Sequence, residues 1–227
     1  MEINNDVSGM KAGKVAKPLF TGTVRAAIQG ILADVLVGQG VQVSQAAQED
    51  VPYCHRYADF NFPDYMAMWN YDDPALTATT FFAMLNMAAS SMDKTFMSEL
   101  LSQIARTFML RGDMDNARYY LEQANLFLAQ SEPRAEVYYL RETARLHATQ
   151  GDYTQATEWM QAAWQLAKQE QYAQLMIETA LDLGEGQITR LAETEQREWY
   201  LLANRLAENT QDQRAQMWVL QHPARFR

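Results

Sequence analysis

The chain has 227 residues, 48% of them hydrophobic and 21% charged, a globular composition that excludes a disordered or membrane-embedded protein. A formal net charge of −9 argues against a general nucleic-acid binder, because phosphate contacts need a surplus of Lys and Arg. The lone Cys54 rules out an intrachain disulfide and a multi-thiolate zinc site, and three scattered histidines (His55, His147, His222) argue against a histidine-rich metal centre.

Residues 1–20 carry Gly, Asn and Lys without an apolar period, and predict a flexible tail. The stretch VRAAIQGILADVLVGQG then supports two readings. Lys11, Lys14 and Lys17 before it and Ser44-Gln45-Ala46 after it imitate a secretory signal over residues 11–46. Against this, Arg25 and Asp34 interrupt the run, and Glu2 and Asp6 precede the lysines. The favoured reading is an amphipathic helix over 23–37, with Val24, Ala27, Ile28, Ile31, Leu32, Val35 and Leu36 at helical spacing. The run is too short and too charged to span a bilayer. The cytoplasm is the favoured compartment, and export follows if 11–46 acts as a signal.

Residues 38–72 contain Pro52, Pro63 and seven aromatics with no sustained period. They predict an irregular connector that packs its rings on a helical body, with room for a short helix near Asp64–Asn70. Together, residues 1–72 form one N-terminal region.

From Asp73 to residue 221 the pattern is helical almost throughout, and residues 222–227 form a short tail. Asp73-Pro74 supplies a cap and a first-turn proline for a helix with Phe81, Met84, Leu85 and Ala88 on one face. Asp93 caps the next helix, whose stripe is Phe96, Leu100, Leu101, Ile104, Ala105 and Phe108 and which ends at Gly112. Asp113 opens a third, Ser131-Glu132-Pro133 a fourth, and Asp152 a fifth. Further helices are expected over 171–183, 188–208 and 210–221, the last stopped by Pro223. No strand-like alternation interrupts the series, so the predicted fold class is all-α.

Two windows align without a gap: LLSQIARTFMLRGDMDNARYYLEQA (100–124) and YLRETARLHATQGDYTQATEWMQAA (139–163), an offset of 39 residues. Leu101 falls on Leu140, Ala105 on Ala144, Arg106 on Arg145, Gly112 on Gly151, Asp113 on Asp152, Ala117 on Ala156 and Ala124 on Ala163. Small alanines let paired helices approach closely. The glycine closes the first helix in a left-handed conformation and the aspartate caps the second. Arg111-Gly112-Asp113, an adhesion tripeptide by its letters, is therefore read as a corner, since the other copy has Gln150-Gly151-Asp152 there. Adding 39 to the Gly151/Ala156/Ala163 set gives Arg190, Glu195 and Leu202, so a third copy does not follow from this offset.

These windows resemble the tetratricopeptide repeat (TPR) family over 98–131 and 137–170, through Leu101, Ala105, Phe108, Gly112, Ala117 and Ala124 in the first and Leu140, Ala144, Gly151, Tyr153, Ala156 and Ala163 in the second. His147 and Thr143 depart from the pattern, and the 39-residue offset exceeds the common 34. The resemblance implies stacked antiparallel helix pairs (an α-solenoid) with flanking capping helices. It also implies a non-catalytic scaffold or adaptor that binds a peptide or partner helix in a concave groove.

With Leu101, Ala105 and Phe108 in the core, Ser102, Arg106 and Met109 turn toward that groove; Tyr138, Arg141 and Arg145 do so in the second copy. Arginine forks suit carboxylates, so an acidic or C-terminal carboxylate segment is the expected partner. The alternative is that these arginines pair with Glu99, Glu136 or Glu142 of their own chain. The 24–36 helix could also dock into the groove of the same chain or of a second copy, giving a homo-oligomer. No phosphate loop, nucleophile elbow or metalloprotease motif is present, and neither Cys54 nor His147 has an identifiable catalytic partner. No catalytic residue, metal ligand or cofactor is assigned. A peptide-sensing regulator is the second functional reading, and an enzyme with an unrecognised site the third.

Overall fold

The computed structural model describes residues 64–91 and 93–226. The expected tail, the 23–37 helix, the signal-like segment, Cys54 and most of the aromatic connector lie outside them. A 3-10 turn, Tyr65–Met68, comes first. Eight α-helices follow: α1 Pro74–Ser91, α2 Lys94–Leu110, α3 Met114–Leu128, α4 Pro133–Thr149, α5 Tyr153–Gln169, α6 Ala173–Gly184, α7 Glu193–Asn209 and α8 Gln213–Gln221. A second 3-10 turn, Pro223–Phe226, ends the described chain. Among the described residues there is no strand, so the fold is all-α. No described helix is long and apolar enough to cross a membrane.

The caps read from sequence are in place. Asp73 accepts from Leu76 N, Asp93 from Phe96 N, Asp113 from Asn116 N and Asp152 from Gln155 N; Asp212, not singled out in the sequence, does the same for Ala215 N. Each satisfies a helix-end donor that has no partner within the helix.

Neighbouring helices pair as hairpins: α2 on α3, α4 on α5, α6 on α7. Three corners share one geometry, two inside hairpins (α2–α3 and α4–α5) and one between hairpins (α5–α6). Gly112 (φ 74°), Gly151 (φ 82°) and Gln171 (φ 58°) are left-handed. The following N–H reaches back to the carbonyl five residues earlier: Asp113 to Phe108, Asp152 to His147 and Tyr172 to Ala167, at 2.9, 3.0 and 2.9 Å. This Schellman arrangement closes one helix and turns the chain into the next. The Arg-Gly-Asp tripeptide is such a corner, as expected.

The third hairpin escapes an offset of 39 by one residue. α2 and α3 begin at 94 and 114, α4 and α5 at 133 and 153, α6 and α7 at 173 and 193. The register from the second hairpin to the third is therefore 40, because α5 is longer than α3. At that register Ala163 falls on Ala203, also fully buried, and Ala144 on Gly184. Gly184 allows the closest approach of α6 and α7: a Cβ there would lie 2.9 Å from Tyr200 N and 3.1 Å from Gln196 O. The helix expected from 188 begins only at Glu193. Gly186 turns left-handed, Thr189 Oγ1 donates to Leu183 O, and Gln196 Nε2 donates to Leu191 O, which holds the intervening chain against α6 and α7.

The core runs through the hairpins. Ala105, Ala117, Ala124, Ala144, Ala156 and Ala163 are fully buried, as their small size requires. At the C-terminal end Met160, Trp164, Ile177, Ala180, Leu181, Ala203, Ala215 and Trp218 pack together, with α8 lying on α6. α2 is buried on almost every side, including its polar residues Ser98, Glu99, Ser102, Gln103 and Thr107. It packs on α1, α3 and α4.

Gly112→Ala and Gly151→Ala should each cost about 1 kcal/mol of stability through backbone strain alone, since open space surrounds both. Gln171→Gly should have the opposite sign, gaining up to about 1 kcal/mol, because it relieves a left-handed residue that carries a Cβ. Gly184→Ala should cost more than any of these, about 1–3 kcal/mol, because the new methyl meets backbone that cannot rotate away. Urea unfolding of the four variants checks the order.

Candidate functional site

The inner faces of α2, α4 and α6 carry polar and charged side chains in positions that packing has buried. Asp182 of α6 is the centre. Its Oδ2 accepts from Arg141 Nε (3.1 Å), Arg141 NH2 (2.8 Å) and Arg145 NH2 (2.6 Å), and its Oδ1 accepts from Arg225 NH2 (3.1 Å). Arg141 also meets Glu178 at 2.7 Å, and Arg225 meets Glu185 at 2.7 Å. Arg145 reaches Glu142 Oε1 at 2.5 Å, and Arg106 reaches the same oxygen at 3.5 Å.

Burial favours the neutral form of each acid, yet the guanidiniums prevail. Arg145, Arg141 and Arg225 hold the Asp182 carboxyl far below the usual carboxylate range, and Arg141 with the Gln174 amide lowers Glu178. Arg141 is pushed up by Glu178, Asp182 and Glu142 against its own desolvation. Arg145 goes the other way, lowered by burial and then by the charge of Arg106. Two guanidiniums thus share one oxygen of Glu142 and repel each other. Arg106 Nε and Glu142 Oε2 have no hydrogen-bond partner among the described residues.

Beside this cluster lies a pocket of about 520 Å³, within the range of ligand sites. Arg106, Met109 and Leu110 of α2, Arg145 and Thr149 of α4, and Asp182 and Glu185 near the end of α6 form its walls. Tyr71, Trp218, His222 and Arg225 close it from the two ends of the described chain. The Arg106 guanidinium lies 5.6 Å from the ring centroids of both Trp69 and Tyr71, within cation–π range.

The six residues expected to face a partner fall into two groups. Arg106, Met109 and Arg145 line the pocket. Ser102, Tyr138 and Arg141 are buried and are not among its walls. Ser102 Oγ donates to Ser98 O, Tyr138 packs edge-on against Tyr65, and Arg141 is 1% exposed inside its ion pairs. The expectation that packing leaves all six side chains free is therefore corrected for these three. Pairing with Glu142, the alternative, is present for Arg106 and Arg145, while Glu99 is taken by Arg134 at 2.7 Å.

Sequence reasoning missed Asp182, Glu178 and Arg225. At the third-hairpin register Asp182 is the counterpart of Glu142, itself 39 residues after Gln103. That polar series on three inner faces was a usable signal. Arg225 had none, because it lies beyond Pro223 in what reads as a tail. His147 Nδ1 stands 3.6 Å from Asp152 Oδ2 at its corner. Among the described residues no group of three or more His, Cys, Asp or Glu could hold a metal ion.

Asp182→Asn should cost about 3 kcal/mol at neutral pH, because it leaves buried guanidiniums undercompensated. Asp182 and Glu178 have folded pKa values below their unfolded ones. Their stabilisation is therefore complete above the unfolded values, about 4, and is lost as pH falls through that range toward the folded ones. Stability measured from pH 7 to pH 2 should hold to about pH 5 and then drop, and the drop should be shallower in Asp182→Asn.

Compared with known proteins, the chain matches no family model, no curated protein and no solved structure.

Proposed function

We propose that the protein is a non-catalytic interaction module, a TPR-like helical-repeat scaffold or adaptor. In this reading its concave face takes a partner's acidic or C-terminal carboxylate segment. The hairpins at helix-start registers of 39 and 40 residues, the first two turned by equivalent glycine corners, support the repeat reading. Stacked helix pairs of this kind work by presenting an extended inner surface.

The observation that carries the ligand class is the shared oxygen. Arg106 and Arg145 both turn to Glu142 Oε1, at the wall of a 520 Å³ pocket. Arg145 has a second acceptor in Asp182 Oδ2, whereas Arg106 makes only its 3.5 Å contact with Glu142 and leaves Nε without an acceptor among the described residues, although its fork can bind a carboxylate bidentately. A second carboxylate entering beside Tyr71 would relieve the repulsion between them and give Arg106 Nε an acceptor. Arg106 is 20% exposed, enough to be reached. Neighbouring acids are unsuited to proton transfer near neutrality, since Asp182 and Glu178 are held ionised by arginine. A binding role follows more directly than a chemical one.

Selection from a random peptide library, displayed once with free and once with amidated C-termini, tests this. The free-carboxylate library should enrich binders, and Arg106→Gln should weaken them at least tenfold. That is the loss of about 1.5 kcal/mol expected for a hydrogen bond to a charged group. Equal enrichment from both libraries, with no acidic preference, would remove the carboxylate from the account.

A further inference from the structure

The inner face of α2 is covered by the chain's own residues 65–71. Tyr65 OH donates to Glu99 Oε2 at 2.6 Å, and Trp69 Nε1 donates to Gln103 Oε1 at 3.1 Å. Arg106 covers the rings of Trp69 and Tyr71, which stack on each other 5.0 Å apart. Glu99, Gln103 and Arg106 are one stripe of α2, spaced i, i+4, i+7. Successive polar residues of the helix meet successive aromatics of the segment. Glu99 and Gln103 are buried, and a face built only for packing would be apolar there.

The segment is held by side chains. Over residues 65–69 the described main-chain donors bond locally (Met66 N to Asp64 Oδ1, Ala67 N to Asp64 O, Trp69 N to Met66 O), and the main chain meets the helical body only at Asn70, whose N–H donates to Thr77 Oγ1 of α1 and whose carbonyl accepts from the same hydroxyl. Tyr65 inserts edge-on among Phe81, Phe96 and Tyr138, as an anchor in an aromatic slot. Few buried main-chain bonds and one deep anchor describe a bound ligand better than a core element.

From this geometry we infer that residues 65–71 are a ligand held in cis, and that the partner for this part of the groove is a segment with the same Tyr-x3-Trp-x-Tyr aromatic spacing, which displaces them. The inference rests on the groove reading above and adds the aromatic class of the partner. Tyr71 links the two regions, because it meets Arg106 and also lines the carboxylate pocket. Displacing the segment would therefore widen that pocket and free one face of Arg106.

The test uses the full chain and a fluorescent peptide of residues 62–73. A Tyr65→Ala/Trp69→Ala chain should bind this peptide at least ten times more tightly than the unaltered chain does. A peptide with the same two alanines should not bind. Should that variant fail to fold, the unaltered chain labelled with 5-fluorotryptophan gives the answer: excess peptide should move the Trp69 fluorine resonance to its solvent-exposed position. A folded variant that binds no peptide, or a Trp69 resonance unmoved by millimolar peptide, overturns the inference. If carboxylate peptides from the library still bind in that case, only the cis-ligand inference falls; if they also fail, the groove reading falls with it.

Discussion

The arrangement depends on a single carboxylate that three guanidiniums share. Asp182 accepts from Arg141 and Arg145 of α4 and from Arg225 beyond α8, and so ties the second hairpin, the third hairpin and the C-terminal turn at one point. Burying these charges is expensive unless every one has a partner. The cluster answers that demand by matching Arg106, Arg141, Arg145 and Arg225 with Glu142, Glu178, Asp182 and Glu185. A deep inner face is thereby made compatible with a stable fold, while the relative positions of α4 and α6 are fixed by long, directional side chains as well as by apolar contact.

That matching is uneven, and the unevenness is where the proposed binding would occur. Arg141 is fully engaged and acts as internal structure. Arg106 and Arg145 crowd one oxygen of Glu142 at the edge of a pocket, where aromatic rings from both ends of the described chain also meet. The same inner face of α2 holds Tyr65 and Trp69 through polar tips and not through main-chain pairing. In the proposed reading both features serve extended, side-chain-driven contacts with a partner. The first favours a carboxylate, the second an aromatic segment.

Much of the fold could be read from local chemistry. Asp73, Asp93, Asp113 and Asp152 announce helix starts because a short carboxylate satisfies the first free N–H groups, whatever the helix later packs against. Gly112 and Gly151 announce corners because few other residues take a left-handed conformation cheaply. The corner between α5 and α6 was obscured because Gln171 adopts that conformation without being glycine. A one-residue change of register then hid the Ala144–Gly184 and Ala163–Ala203 correspondences.

The site was legible only in part, for a different reason. Helical spacing says which way Tyr138, Arg141 and Ser102 point, but not what lies opposite. Arg141 meets its acids about 40 residues away, across a hairpin whose register had to be known first. Residues 65–71 have no period to detect, since they are placed by the slots they fill. The central claim is that Asp182 couples the C-terminal turn to the helical body. A double-mutant cycle of Asp182→Asn and Arg225→Met, followed by urea unfolding, tests it most directly. A coupling energy of about 1.5 kcal/mol or more is the result predicted by this account, whereas effects that add to within about 0.5 kcal/mol would contradict it.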